Sequence, residues 1–322
     1  MRQRALSALF AMMATLSAAV PAAADEVVLR AISAFQKGTT FFTPFDAFVK
    51  SVNENGKGKV RINLVGGPDA MPPFEVGNAL RGGVIDLANT TAVYHANLVP
   101  EGLAMTLTDL SMADLRSNGG YALLDEIHMK KANIHWLGRL VQNMNYHIYM
   151  SKYPDNLEFK GLKIRSAPTY KAFFDGLGIA PMQTAAGEVF TALERGTIDG
   201  YAWPSVGVFD LGWQEKTAAR IDPGFYQVET GIYISGSAWK KLTAEQRAVL
   251  EEEMLKAEAA SAAYRDMAKE EFKRQEKAGI RTFALDDTKA KAFTDMAQEE
   301  GWKPVVAASP VEGAKLRELF AK

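Results

Sequence analysis

The chain has 322 residues, 48% apolar and 23% charged, with a net charge of -1. This is globular composition, long enough for two cored domains, and it excludes a disordered chain and a basic surface for nucleic acid. No cysteine is present, which removes disulfides, thiol nucleophiles, thiolate metal sites and a lipid-bearing cysteine.

Arg2 and Arg4 precede an apolar run over residues 5–20 that ends in Pro21-Ala22-Ala23-Ala24. A basic start, a short apolar centre and small residues before Asp25 read as a secretory signal peptide over residues 1–24, cleaved before Asp25. No later run approaches the roughly 18 to 20 apolar residues that span a bilayer, so the mature chain is expected outside the cytoplasmic membrane without stable insertion.

Strand and helix patterns then alternate. Residues 27–33 are rich in β-branched side chains, a helix follows over about 43–52 with Pro44 in its first turn, and residues 59–65 alternate as a second strand. A short helix over 74–80 closes at Gly82-Gly83, and a third strand is expected over 84–88. This βαβαβ order predicts an α/β sheet covered on both faces, with ligands beyond the carboxyl ends of its strands.

An internal echo follows. Glu75, Val76, Ala79, Leu80, Gly83, Ile85 and Asp86 recur as Glu188, Val189, Ala192, Leu193, Gly196, Ile198 and Asp199, about 113 residues later. Each copy reads as a short helix, a glycine suited to positive φ and a strand entered through Ile-Asp. Two copies so far apart are no solenoid and suit two similar lobes.

Between the copies, residues 110–131 carry a helical pattern and 134–140 and 146–150 read as strands. After them come a helix over 206–213 and a strand over 226–235 interrupted by Gly231. Thr243 and Gln246 form a capping box that opens a helix without Pro or Gly to about residue 277, long enough to lie across both lobes. A strand (280–284) and two helices (288–300 and 311–320) close the chain.

The organising stretch is residues 161–204, where Arg165 ends a strand just before Ser166-Ala167-Pro168. Its planar fork suits a carboxylate or phosphate, and an internal acid is the other partner that would satisfy it. The sequence has no nucleophile elbow, Walker loop, dinucleotide fingerprint or His-Glu-x-x-His pair, and its four histidines lack ligand spacing. No catalytic residue, metal site or cofactor is therefore assigned. A signal, two lobes and an arginine beside Tyr170, Tyr201 and Trp203 describe a binding protein that closes on a small anion.

The whole mature chain resembles the solute-binding subunit of TRAP transporters, the secondary uptake systems driven by an ion gradient. The likeness is densest over Gly161-Leu162-Lys163-Ile164-Arg165, Gly178-Ile179-Ala180-Pro181, residues 188–193, and Asp199-Gly200 followed by Pro204. It implies a two-lobed periplasmic-binding-protein fold with mixed, mostly parallel sheets and a long bridging helix. Lobe I would hold residues 25–144 plus about 233–272, and lobe II residues 145–232 plus about 273–322. It also implies that Arg165 salt-bridges the substrate carboxylate, that the partners are an organic acid and membrane permease subunits, and that the compartment is the periplasm.

Two departures bear on the ligand. Many members end the segment after Asp-Gly in Asn-Pro, where this chain has Tyr201-Ala202-Trp203-Pro204. Many also carry a second arginine about where Tyr146-His147-Ile148 stands, so His147 is expected to substitute as a pH-dependent donor. Both changes favour one carboxylate on a flatter, less polar body, with Trp203, Tyr170, Phe42 and Tyr94 as walls and Asn89 and Thr91 completing the candidate set. A C4-dicarboxylate or sugar-acid binder of the same class, a periplasmic enzyme on a carboxylate, and a subunit serving a sensor are the alternatives.

Overall fold

A computed structural model describes residues 26–321. The expected signal peptide and its cleavage before Asp25 lie outside the described residues. In chain order the strands are β1 (Val27–Ser33), β2 (Val60–Gly66), β3 (Leu87–Thr90), β4 (Ile134–Val141), β5 (Asn145–Met150) and β6 (Lys163–Ser166). They continue with β7 (Ala180–Gln183), β8 (Gly200–Pro204), β9 (Ala219–Asp222), β10 (Phe225–Gln227), β11 (Thr230–Ser235) and β12 (Arg281–Ala284).

Two sheets result, ordered β2-β1-β3-β11-β4 and β12-β9-β5-β8-β6-β7, with β10 paired to β5. In the first, β1 runs parallel to β2 and β3, while β11 is antiparallel to β3 and β4. In the second, β6 is parallel to β7 and β8, and β5 is antiparallel to β8 and β9. The fold is thus a two-lobed α/β structure with mixed sheets. Antiparallel neighbours arise where the chain passes between the lobes, because β4 leads straight into β5 and β10 into β11.

The echo is structural. Helices Val76–Arg81 and Val189–Glu194 each end at a glycine in the left-handed region, Gly83 (φ +69°) and Gly196 (φ +65°). Asp86 then exchanges hydrogen bonds with Arg30 of β1, its carboxylate accepting from the Arg30 amide at 2.8 Å. Asp199 does the same with Lys163 of β6, also at 2.8 Å. In both lobes one aspartate side chain therefore occupies the amide of a neighbouring strand where pairing begins.

Several expected elements are redrawn. The long helix is Ala244–Ala260 and Tyr264–Lys277 joined by a 3-10 turn over Ser261–Ala263. At the break the Ser261 hydroxyl donates to the Glu258 carbonyl and accepts from Gln142, so a long-range side-chain bond is added to the backbone ladder at the turn. Residues 206–213 form turns rather than a helix, because Gly207 and Gly212 take positive φ. The strand over 226–235 is two strands, and the closing helix Pro310–Phe320 packs on Gly120–Ala132 of the first lobe.

Candidate functional site

The carboxyl ends of β1 and β3 face those of β6 and β8. Residues just past these ends line one narrow inner chamber: Phe35 and Phe41 after β1, Thr91 and Tyr94 after β3, Arg165 and Tyr170 around the end of β6, and Trp203 on β8. Tyr146 from β5 and Glu229 and Thr230 from the β10–β11 crossing complete it. A larger outer cavity of about 980 Å3 shares Phe35, Phe41, Tyr94 and Trp203 with the chamber, so these four rings form the partition between them.

Arg165 is 1% exposed. Its Nε donates to the Thr184 carbonyl at 3.0 Å and Nη1 to the Ala202 carbonyl at 3.4 Å, which fixes the plane of the fork. Nη2 is buried without a hydrogen-bond partner, and no salt bridge reaches the residue among the described residues. The internal acid that would have made it structural does not reach it, since Glu229 of the same lining makes no salt bridge to it; a buried cation with an open donor is suited to an anion. The guanidinium carbon lies 5.4 Å from the centroid of Trp203, whose own Nε1 is also buried and unpartnered. That Nε1 lies on the side of Gly207, where a Cβ would come 3.1 Å from it and 3.3 Å from Asp210 Oδ2, so the open donor that the chamber offers is the one on Arg165.

Aromatic rings shape the rest. Tyr146 and Tyr170 meet edge to face at 5.0 Å, Phe41 meets Trp203 at 6.0 Å, and Phe74 supports Tyr94 at 4.9 Å. Burial pushes the Tyr94, Tyr146 and Tyr170 hydroxyls up from their usual values against the opposing charge of Arg165, so all three stay neutral donors.

Of the residues singled out in the sequence, Arg165, Trp203, Tyr170, Thr91 and Tyr94 line the chamber, and three do not. Strand alternation turns Tyr146 inward and neighbouring His147 to the other face of β5. There His147 Nδ1 lies 3.0 Å from Asp222 Oδ1 and 3.1 Å from the Ile221 carbonyl, with its ring against Phe272. Burial would raise Asp222, but hydrogen bonds from His147 and Arg220 outweigh it and hold the carboxyl well below its usual range. The expected substitution of His147 for a second arginine is therefore corrected: its ring is committed to a structural acid. Phe42 packs on Phe45 within the first lobe. Asn89 donates to Ser33 Oγ and the Phe41 carbonyl, bracing the loop that carries Phe41.

Sequence reasoning missed Phe35, Phe41, Tyr146 and Glu229. The signal for Glu229 was present, since an acid stands just before the apolar run Ile232-Tyr233-Ile234. Across the cleft mouth, Asp210 accepts from the Thr40 amide at 2.7 Å and from its hydroxyl at 3.2 Å. Burial raises the Asp210 carboxyl, against the lowering effect of those same bonds. This contact and the Phe41–Trp203 pair hold the lobes together around the chamber.

Residues 33–303 match the family model described as bacterial extracellular solute-binding protein, family 7. A monocarboxylate 2-oxoacid-binding periplasmic protein from Nostoc sp. is 23% identical over 259 residues, 76% of this chain and 70% of its own length. A TRAP periplasmic solute-binding protein from Desulfovibrio salexigens with bound orotic acid has the same fold, at TM-score 0.81 and 16% identity, covering 91% of this chain and 97% of that one. So has one from Sulfitobacter sp. NAS-14.1 with bound β-D-galacturonate, at TM-score 0.78 and 18% identity over 91% and 99%. With the match spanning both lobes and the cleft between them, this chain belongs to the family 7 bacterial extracellular solute-binding proteins.

Proposed function

We propose that the chain captures a small organic acid in the periplasm, closes its lobes around it, and delivers it to TRAP membrane permease subunits. The observation that carries this reading is the buried, open Nη2 of Arg165 in a chamber at the strand ends of both lobes. A ligand carboxylate completes the fork there, against the face of Trp203. Arg165 is the cationic side chain lining the chamber, and Glu229 stands in the same lining, so one carboxylate is accommodated and a second would meet an acid. Flat walls from Trp203, Tyr94, Tyr146 and Tyr170 favour an apolar or planar body. The acid ligands of the Nostoc and Desulfovibrio proteins agree with this class.

A thermal-shift screen of aliphatic, aromatic and dicarboxylic acids tests the proposal. Monocarboxylates are expected to raise Tm and to emerge unchanged by mass spectrometry. A chemically altered hit would mean an enzyme, and stabilisation by no acid would sink the reading.

A further inference from the structure

The inner chamber is too narrow for a whole acid. Its free space is that of about one or two water molecules, enough for a carboxylate head against Arg165 and little more. The outer cavity is far roomier, at about 980 Å3 including open solvent, and the two share the rings of Phe35, Phe41, Tyr94 and Trp203. These rings form a chain, Tyr94 to Phe35 at 6.0 Å, Phe35 to Phe41 at 5.6 Å and Phe41 to Trp203 at 6.0 Å. The two spaces therefore meet along one continuous aromatic wall.

Trp203 sets the distance between them. The Arg165 guanidinium carbon is 5.4 Å from its centroid, and the same ring borders the outer cavity, so a carboxylate on the fork stands one ring's breadth from that space. A link of about two to four carbons spans this gap. Beyond the rings the outer lining is largely apolar, with Pro68, Pro73, Ala185 and Leu211. Its charged members are Asp69, Glu188 and Asp210, with no lysine or arginine, and Asp210 is already bonded to Thr40. An apolar tail finds cover there, whereas a second carboxylate meets like charge.

We infer that the outer cavity houses the body of the ligand, so that the protein selects monocarboxylic acids with an apolar tail on a slim, unbranched link, such as arylalkanoic and straight-chain acids, over compact acids and over diacids of equal length. A ring attached directly to the carboxyl carbon meets the chamber walls. A methylene link instead sets the head on Arg165 and the tail beyond the partition. The inference rests on the chamber being the acid site.

Calorimetry on the full mature chain tests it with acetate, propanoate and benzoate against hexanoate, 3-phenylpropanoate and 4-phenylbutanoate, and with octanoate against octanedioate. The best tailed acid is expected to bind at least about tenfold tighter than every compact one, and octanoate at least about tenfold tighter than octanedioate. Gly187 lines the outer cavity and not the chamber, and a Cβ added there meets nothing within 4 Å. Gly187→Trp should therefore fill outer space and weaken tailed acids more than compact ones. An undiminished preference in that variant overturns the inference; should it fail to fold, the wild-type ratios decide alone. Compact acids that bind through Arg165 as tightly as tailed ones, or octanedioate that matches octanoate, would sink this inference and leave the acid site standing. Failure of every acid to bind, or binding indifferent to Arg165→Ala, refutes the acid-site reading first and this inference with it.

Discussion

Arg165 keeps a charge inside a chamber where carbonyl oxygens hold two of its nitrogens and none holds the third. Removing it leaves a ligand carboxylate buried and unpaired, a loss of roughly 3 to 5 kcal/mol, or on the order of a hundredfold or more in Kd. Trp203→Phe keeps an aromatic wall but trims its area, and a loss of at most about tenfold is expected in the same titration. A different residue contributes to the pH response of the fold. His95 is fully buried against His128 and Tyr233, and burial, with the nearby His128, lowers its pKa from 6.5 to about 3. The unfolded chain therefore binds a proton below pH 6.5 that the folded chain refuses until about 3, so stability falls as pH drops through that window. His95→Phe should flatten this decline by a few kcal/mol, read as the difference between wild-type and variant denaturation midpoints from pH 7 to pH 4. Residue by residue, the sequence showed Arg165 at a strand end because Ser166-Ala167-Pro168 ends the strand. It did not show which of Tyr146 and His147 faces the chamber: a period of two defines two faces, and the packing of Phe272 and Asp222 decides which is which.

Among the elements, the repeated helix-glycine-strand unit was the most legible, since helix period, positive-φ glycine and Ile-Asp entry are all local. In the second copy, Gly200 follows the aspartate, and a Cβ there would lie 2.2 Å from the Tyr149 carbonyl on the paired strand. Gly200→Ala must push β8 from β5, and a loss of about 2 to 4 kcal/mol is expected by chemical denaturation. An unchanged midpoint would mean the strands yield freely at that pair. The break at Ser261–Ala263 was not legible, because the intervening residues Ser261-Ala262-Ala263 suit a helix and the cause, the bond from Gln142, comes from far along the chain. The same holds for β10 and β11: the sequence runs on through Val228 and Glu229, and only the crossing between lobes splits the strand.

For the whole molecule, the order of elements and the lobe echo carried the architecture, while the closed cleft depends on pairs separated by 170 positions, such as Thr40 and Asp210. Asp210 is not a ligand-chamber residue, so Asp210→Ala should act through closure alone. About 1 kcal/mol is expected, a fivefold weaker Kd arising mostly from faster release in stopped-flow measurements. Loss confined to the association rate would contradict a latch. Ligand capture turns on one contact between the lobes' chamber and its ligand. The most direct measurement is the calorimetric Kd of the best monocarboxylate from the screen for wild type and for Arg165→Ala, with circular dichroism confirming that both fold. A hundredfold or greater weakening is predicted; affinity unchanged in a folded Arg165→Ala would contradict the account.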